Sequence, residues 1–523
     1  MTELPAEMRS LSPRESSRAS AWAHYGLVGA IGLCLLLVSQ PFTPKGPVLS
    51  DEVVYAVVAR NLLEQGTLET HLYRADSIAK RGYPTRDYHF PGYMGVLAAA
   101  MALFGVNDFA LALPSQLAYL AAGLILLHAA RRLYGPRQAL LAPVLFYAYP
   151  MAFAYANLIM AENVLALTMA IWLTCWLRLS GARSPTFRDG IVLAALLIVG
   201  TTLRPTFLAL APPTLFLFAS TQGSRSRYGS LGAFGFLLVG LLFGIVWPLA
   251  QDRAYYPAAF DRAMAAGEWA ETLGILLHNA IEGLGSTFDV SAVERPLALV
   301  HLVLGGVTLA ALRLQNSAQR RLGFLSVYAF WVPVVVLTVL YEPVVRPNVA
   351  RSLAIFVLPS LLLLPGLLGL LRDWRARGCA IGVTVALFGY ASFHFTEQLL
   401  IPQQKLAIAR DQIAADVIER DLEPFGAEVI LYKMAFRHAW DHYPTKIIWR
   451  PPQDDAEFQA LAERVRVDGI VVKAGAADRM QSALDRGLLQ EPFVLISAGP
   501  TGRLVFLRKA LFERRGGERA PAE

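Results

Sequence analysis

The sequence predicts a polytopic α-helical membrane protein with about eleven transmembrane helices and a small C-terminal extracytoplasmic α/β domain. Of the 523 residues, 55% are hydrophobic and only 17% are charged, which is too apolar for an ordinary soluble protein. Apolar runs of bilayer length recur as far as residue 395. After that point the hydropathy falls, and short helical and strand-like patterns alternate.

The apolar runs define a membrane domain over residues 22–398, which follows a cytoplasmic N-terminal tail at 1–21. Arginines in this tail precede a first span too long for a signal-peptide core, which predicts an uncleaved anchor. The Arg204-Pro205 pair predicts a turn between two spans rather than one continuous helix. The predicted spans are 22–40, 107–130, 138–155, 162–179, 190–203, 206–220, 230–250, 296–312, 323–341, 352–371 and 378–395.

Every second connection between these spans is rich in arginine, as cytoplasmic connections are. The alternate connections carry the acidic residues, and the first of them is an outer loop at 43–106. An odd number of crossings puts residues 399–523 on the same outer side. The sequence therefore predicts a multi-pass protein of the cytoplasmic (inner) membrane, with its N-terminus in the cytoplasm and its C-terminal domain extracytoplasmic.

Within the first outer loop, residues 52–65 show helical spacing and end at Gly66, which predicts a helix lying on the membrane surface. Residues 91–104, before Gly105, predict a second interfacial helix. In the tail, helices are predicted at 406–422 and 455–467, and strands at 428–432, 469–473, 493–498 and 503–508. The tail acids show no catalytic spacing, so we expect the tail to add acceptor contact or stability.

Ionisable residues collect at the outer ends of the predicted spans, where charges are costly unless they are paired or used. They are Asp51, Glu52, His89, Glu162, Arg204, Arg346 and Arg351. Simpler explanations exist for most of them. They are capping of a helix that starts at Ser50 for Asp51 and Glu52, a helix N-terminus for Glu162, snorkelling for Arg204, and pairing with Glu342 for Arg346 and Arg351. Their coincidence on one side of the membrane favours a site.

Several function classes lack support. No Gly-rich phosphate loop, HExxH motif or paired CxxC occurs, so the sequence does not predict a nucleotide or zinc-protease site. The three cysteines all lie in apolar segments, so no disulfide framework is predicted. The net charge of +7 arises from basic short loops, which indicates membrane topology rather than a nucleic-acid partner.

Opposite charges brought together outside a bilayer suit transfer of a sugar from a lipid phosphate. A carboxylate can take the proton of the incoming hydroxyl, and cations can stabilise the departing phosphate. A lipid-linked donor is also consistent with the missing nucleotide motif.

Over roughly residues 45–365 the chain resembles the membrane-embedded glycosyltransferases of the GT-C class, especially lipid A aminoarabinose transferases and protein O-mannosyltransferases. The acidic pair with Tyr55 and Gly66 is similar to that family's motif in the first outer loop. The segment from His89 to Phe104-Gly105 resembles one that usually begins with Lys, so His89 is a departure. The other similar motifs are Met160-Ala161-Glu162-Asn163, Thr202-Leu203-Arg204-Pro205, and Tyr341-Glu342 with Arg346 and Arg351.

The resemblance implies an inverting transfer from a polyprenyl-phosphate-linked sugar to a cell-envelope acceptor, which is lipid A or lipopolysaccharide, a polysaccharide or a protein. It implies catalytic roles for Asp51 and Glu162, with Asp51 as base or metal-linked group. It also implies substrate-binding roles for Glu52, Tyr55, His89, Arg204, Arg346 and Arg351. A divalent metal bridging Asp51 and Glu162 stays open as cofactor, since two carboxylates fall short of a complete hard-cation shell.

Two other readings remain. A transporter or flippase of lipid-linked sugars would also use ionisable groups in the membrane, but it predicts inverted repeats, and the sequence shows none. A structural or assembly protein would leave Asp51, Glu162 and Arg204 unexplained.

Overall fold

The computed structural model describes residues 13–40, 47, 49–81, 83, 91–180, 186–220, 234–235, 267, 270, 295–314, 317–340, 356–432, 437–499 and 503–514. Most of these residues are helical. The helices are α1 (Pro13–Ser39), α2 (Ser50–Gln65), α3 (Ala75–Arg81), α4 (Pro91–Phe104), α5 (Asp108–Tyr134), α6 (Leu141–Tyr147), α7 (Pro150–Ala154), α8 (Glu162–Ser180), α9 (Phe187–Leu203), α10 (Ala211–Ser220), α11 (Arg295–Ala310), α12 (Ser317–Leu340), α13 (Leu358–Gly369), α14 (Trp374–Phe395), α15 (Ile401–Asp421), α16 (His438–Asp441), α17 (Asp455–Arg464), α18 (Ala477–Asp485) and α19 (Lys509–Arg514).

Five helices within the described ranges are long and apolar enough to cross a membrane. They are Ala21–Ser39, Asp108–Tyr134, Glu162–Ser180, Pro296–Arg313 and Trp374–Phe425. Shorter apolar helices are Pro91–Phe104, Gln138–Tyr147, Thr206–Phe218 and Leu358–Gly369. A polytopic helical membrane architecture follows. The total of about eleven crossings stays a prediction, because most of the predicted span 230–250 lies outside the described residues.

The chain divides into two compact units. The helical unit comprises Met1–Thr43 and Leu113–Leu400, and the mixed unit comprises Pro44–Ala112 and Ile401–Glu523. This division differs from the predicted one. The predicted boundary between residues 398 and 399 assigns the first outer loop to the membrane domain and the tail to a separate domain, whereas the mixed unit contains both.

In the helical unit, residues 138–155 do not form the single span that the sequence predicts. Helix α6 ends at Tyr147, and Tyr149 is extended, with φ −74° and ψ 127°, before the short helix α7. The cause is Pro150, because proline disfavours the helical conformation in the residue before it. By contrast, the break predicted at Arg204-Pro205 is confirmed: α9 ends at Leu203, and Pro205 begins a short 3-10 helix.

A buried irregular segment, residues 155–161, leads from α7 to α8. Side chains of α1 and α5 bond to polar groups of Tyr155 and Asn157 in this segment. The Ser115 hydroxyl donates to the Tyr155 carbonyl over 2.8 Å, and Gln116 donates to the Asn157 side-chain oxygen over 2.9 Å. Asn157 in turn donates to the Ser39 hydroxyl over 2.6 Å. Buried polar groups need such partners, so this network fixes the approach to α8.

The mixed unit contains a six-stranded sheet in the order β1-β3-β2-β4-β6-β5. Its strands are β1 (Leu72–Arg74), β2 (Val429–Tyr432), β3 (Lys446–Arg450), β4 (Gly469–Lys473), β5 (Phe493–Gly499) and β6 (Arg503–Arg508). Strands β1, β3, β2 and β4 are parallel, and β6 is antiparallel to both β4 and β5. The edge strand β1 comes from the first outer loop, with Leu72 opposite Ile447.

The core of this sheet also draws on both parts of the chain. Tyr73, Ala75 and Ile78 from the loop are each at most 1% exposed, and they share one apolar cluster with residues of the tail such as Ile448 and Phe458. The loop and the tail therefore bury their apolar surface together, which is the main driving force for such a fold.

Helix α2 ends as predicted at Gly66, whose φ of 69° is a left-handed conformation that glycine adopts readily. Helix α4 likewise ends before Gly105, whose φ is 83°. The middle of α2 is enclosed by protein, and its position along the membrane surface stays a prediction. Residues 56–59, which face all sides of the helix, are 0% exposed.

Candidate functional site

The two adjacent acids at the start of α2 have different surroundings. Glu52 is 1% exposed, and its carboxylate accepts a hydrogen bond of 2.9 Å from the Leu49 backbone N–H. This bond caps the helix, because the first N–H groups of a helix have no partner within it. Asp51 stays partly exposed. Of the two carboxylates, Asp51 is therefore the one that can meet a substrate.

Tyr55 lies one turn further along α2 and is also partly exposed. Its ring meets the ring of Tyr93 on α4 edge to face, with centroids 5.1 Å apart. Tyr93 is fully buried. This packing orients Tyr55 and leaves part of its surface accessible, on the same helix as Asp51.

Glu162 and Arg204 come together in the helical unit. Arg204 Nη1 donates to Glu162 Oε1 over 3.1 Å. Glu162 is the first residue of α8 and is 3% exposed, whereas the Arg204 side chain is 21% exposed. The carboxylate also benefits from the positive end of the helix dipole. Arg204 is an extended residue between the end of α9 and the following 3-10 helix, and its side chain extends from there to Glu162.

This pair can bind an anion as well as stabilise the fold. A guanidinium carries five N–H donors in a planar fork, and its bond to Glu162 uses one of them. Planar forks of this kind match phosphate oxygens, and a buried carboxylate behind the fork fixes its orientation. The partly exposed Arg204 is thus a candidate phosphate contact.

Asn163, the second residue of α8, also holds the start of this helix. It is 1% exposed and donates to the Ala152 carbonyl over 3.1 Å and to the Ser115 hydroxyl over 3.5 Å. No role was predicted for Asn157, Asn163 or Ser115. The available signal was that polar residues interrupt apolar spans, where each one needs a partner.

His89, Arg346 and Arg351, together with Glu342, lie outside the described residues. Asp51, Glu52 and Tyr55 belong to the mixed unit, and Glu162 and Arg204 belong to the helical unit.

A cluster around Tyr443 holds the far end of α2 and was not predicted. The Tyr443 hydroxyl donates to Asn61 Oδ1 and accepts from Gln65 Nε2, each over 2.7 Å. The Arg60 guanidinium carbon lies 4.0 Å from the centroid of the Tyr443 ring, and the His71 ring stacks on it at 4.8 Å. No sequence pattern could reveal this cluster, since Tyr443 and Gln65 are 378 positions apart.

His71 is the most perturbed base in this cluster. It is 4% exposed, and burial, followed by the positive charges of Lys446 and Arg60, lowers its pKa from 6.5 to about 4. The imidazole is therefore neutral at physiological pH. Its neutrality allows it to lie beside two cations.

The described residues do not form a metal site. Across the described ranges, no group of three or more His, Cys, Asp or Glu side chains is arranged to hold a metal ion. Asp51 and Glu162 alone supply too few ligands for a hard cation. A metal between these two carboxylates stays a prediction.

A family model described as dolichyl-phosphate-mannose-protein mannosyltransferase matches residues 89–248, a stretch that includes Glu162 and Arg204. A comparison with curated proteins gives no match.

Solved structures show similarity over almost the whole chain. ArnT from Cupriavidus metallidurans bound to undecaprenyl phosphate is 15% identical, with a TM-score of 0.58, and the match covers 94% of this chain and 99% of ArnT. The oligosaccharyltransferase AglB from Archaeoglobus fulgidus, in complex with an inhibitory peptide and a dolichol-phosphate, is 11% identical, with a TM-score of 0.51 over 92% of this chain and 74% of AglB. A zinc and sulfate complex of the same oligosaccharyltransferase gives 11% and 0.52 over 91% and 73%. The chain therefore resembles the membrane-embedded glycosyltransferases of the GT-C class and shares their fold.

Proposed function

We propose that the protein is a glycosyltransferase of the cytoplasmic membrane. It transfers a sugar from a polyprenyl-phosphate donor to a cell-envelope acceptor on the outer side, with inversion at the transferred carbon. The observation that carries this proposal is the ion pair between buried Glu162 and partly exposed Arg204, set among apolar helices. Ionisable groups within membrane-spanning structure are rare and mark functional sites.

The comparisons support the class of donor. ArnT is solved with undecaprenyl phosphate and AglB with a dolichol-phosphate, and both ligands are lipid phosphates. The matched family is described by a dolichyl-phosphate donor, and its model spans Glu162 and Arg204. A fold shared with these proteins supports a donor of the same chemistry for this chain.

In this proposal Asp51 acts as general base. Its carboxylate takes the proton of the acceptor hydroxyl, and the hydroxyl oxygen forms a bond to the anomeric carbon of the sugar. The bond from that carbon to the phosphate oxygen breaks, its electron pair stays on the oxygen, and the polyprenyl phosphate departs. A single displacement of this kind inverts the anomeric centre. Tyr55 adds a surface for the sugar on the same helix.

Arg204 binds the donor phosphate in the ground state and stabilises its charge as it leaves. Glu162 orients the guanidinium through their bond of 3.1 Å. His89, Arg346 and Arg351 are further proposed contacts to the donor. No step is assigned to a metal, because the two proposed carboxylate ligands do not complete a cation site.

The direct test uses purified protein in lipid vesicles with a set of labelled polyprenyl-phosphate sugars and an envelope fraction as acceptor. We expect label to move from the lipid to the acceptor, and polyprenyl phosphate to be released. The fraction that takes up label identifies the acceptor as lipopolysaccharide, polysaccharide or protein.

The same vesicles test the alternative of a transporter or flippase. A transporter would move the labelled lipid to the opposite leaflet without consuming it. If every donor crossed the bilayer intact and none was consumed, the alternative would replace the proposed transferase activity.

A further inference from the structure

The tail of the protein contacts α2 through side chains that are separate from the sheet. Three residues in the last two turns of α2 meet Tyr443: Arg60 lies over its ring, Asn61 accepts from its hydroxyl, and Gln65 donates to it. Asn61 is fully buried, and its amide nitrogen donates to the Glu69 carbonyl over 2.8 Å. Each hydrogen-bonding group of this amide thus has a defined partner, so its orientation is fixed.

We propose that Tyr443 is a positioning residue for Asp51, through which the C-terminal segment sets the orientation of the acidic helix. This inference rests on the proposed role of Asp51 as the base. It assigns to the tail a part in turnover that goes beyond acceptor contact or general stability.

The geometry of a helix explains how a contact at one end controls the other. Asp51 and Asn61 are ten positions apart, which corresponds to about 15 Å along a helix. A tilt of about 10° at the Tyr443 end would move Asp51 by roughly 2.5 Å over that length. A misplacement of about 1 Å at a reacting group can cost about a hundredfold in rate.

The sheet alone does not provide this control. Strand β1 begins at Leu72, after the chain has left α2 and passed Gly66. The sheet therefore fixes the loop beyond the helix, whereas Tyr443 contacts the helix itself. His71, which precedes β1, stacks on Tyr443 and links the two attachments.

The test is a double-mutant cycle on full-length protein, with Tyr443→Phe and Asp51→Asn alone and combined. Tyr443→Phe keeps the ring and removes both hydroxyl bonds. We expect kcat to fall about tenfold or more with little change in the KM for the donor. In the Asp51→Asn background, the same change should cause no further loss, because Tyr443 acts through Asp51.

Phe458→Leu is the matched control for stability. Phe458 is 2% exposed in the core of the same unit and does not take part in the Tyr443 cluster. We expect this substitution to lower the thermal midpoint and leave kcat near normal below that midpoint. Gln65→Met is a second test variant: Gln65 is exposed, so its loss of one bond to Tyr443 should reduce kcat without affecting folding.

The outcomes separate the two hypotheses. If Asp51→Asn retains normal transfer, the proposed base is wrong. If Asp51→Asn is inactive but Tyr443→Phe and Gln65→Met turn over normally, only the positioning role is overturned. Equal fold losses from Tyr443→Phe in both backgrounds would also overturn it, because they would show that Tyr443 acts independently of Asp51.

Discussion

Asp51 and Glu52 are neighbours at the start of the same helix, and they differ in burial. A carboxylate at the third position of a helix can reach back to the N–H group before it, and Glu52 does so. Asp51, one residue earlier, keeps part of its surface exposed. Asp51 is therefore the better candidate for contact with a substrate.

We expect Asp51→Asn to lower the rate of transfer by about 10²–10⁴-fold, the usual contribution of a general base. Donor binding should stay within a few-fold, because the acceptor proton is removed only in the transition state. Asparagine keeps the size of aspartate and its preference for helix starts. Single-turnover transfer and equilibrium donor binding are the measurements.

Glu52→Gln is the control for Asp51→Asn. Glutamine retains an oxygen that can accept from Leu49, so we expect a modest loss of stability and near-normal turnover. An inactive Glu52→Gln beside an active Asp51→Asn would move the base to Glu52. If Asp51→Asn and Glu52→Gln were both active, neither acid would be the base, and both would serve only to stabilise the start of the helix.

Arg204→Ala should weaken donor binding as well as turnover, because a phosphate-binding cation acts in the ground state. A charge-assisted hydrogen bond contributes about 1.5–3 kcal/mol, so the dissociation constant of the donor should rise roughly tenfold to a hundredfold. Thr202→Ala is the control, since the Thr202 hydroxyl bonds within its own helix, to the Val199 carbonyl. Unchanged donor affinity in Arg204→Ala would remove the phosphate role and leave Arg204 as a partner of Glu162.

His71 should make the mixed unit sensitive to acid. Its pKa is about 4 in the fold against an ordinary value of 6.5, so the unfolded chain binds the extra proton first as the pH falls. Stability is therefore highest above pH 6.5 and declines between 6.5 and 4, by about 2 kcal/mol from pH 7 to pH 5. Thermal unfolding of the wild type and of His71→Phe at both pH values measures this. An equal decline in the two proteins would assign it to other groups.

Sequence patterns predicted the helices and strands whose ends are set by nearby residues such as Gly66 and Pro205. Gly66 ends α2, proline at 205 separates two helices, and strands β2, β4, β5 and β6 lie close to their predicted positions. Strands β1 and β3 were not predicted. Strand β1 has only three residues, too few for an alternating pattern. Its pairing with β3 is set by tertiary contacts between distant parts of the chain, which no single stretch encodes.

The same distinction applies to the candidate site. The acidic pair, Glu162 and Arg204 were found because charges beside apolar spans are conspicuous. Their partners were not found, because the contact between Arg204 and Glu162 depends on how α8 and α9 pack. Tyr443 gave no signal at all, since an aromatic residue in a tail has many structural uses.

Strand β1 provides a prediction about the loop and the tail as one folding unit. Tyr73→Ala removes a side chain that is 1% exposed in the shared core, which should cost about 3 kcal/mol. Because the core is shared, we expect proteolysis to cut the tail faster although the substitution lies in the loop. Leu63→Ala on the exposed side of α2 is the control and should leave the tail protected. Faster cutting confined to the loop would show that the two parts fold separately.

At the scale of the whole molecule, the sheet constrains how the chain crosses the membrane. Residues 72–74 pair directly with residues 447–450, so these two segments must lie on the same side. The number of crossings between them is then even. Helix α1 is a candidate span before residue 72, and counting it as one crossing makes the total before the tail odd. This parity agrees with the predicted total of about eleven, although many other odd numbers would satisfy it equally.

Reporter fusions test this topology. A reporter after Phe395 and one after Arg514 should both be active only outside the cytoplasm, and one at the N-terminus only inside. The sheet requires the first outer loop and the tail to share a side, and the arginine-rich connections put that side outside. A tag inserted after Gly66, at the exposed end of α2, should be labelled by a reagent that does not cross the membrane. Labelling of the loop together with cytoplasmic activity of the tail fusion would contradict the strand pairing, and a loop that stays unlabelled would contradict the outward site.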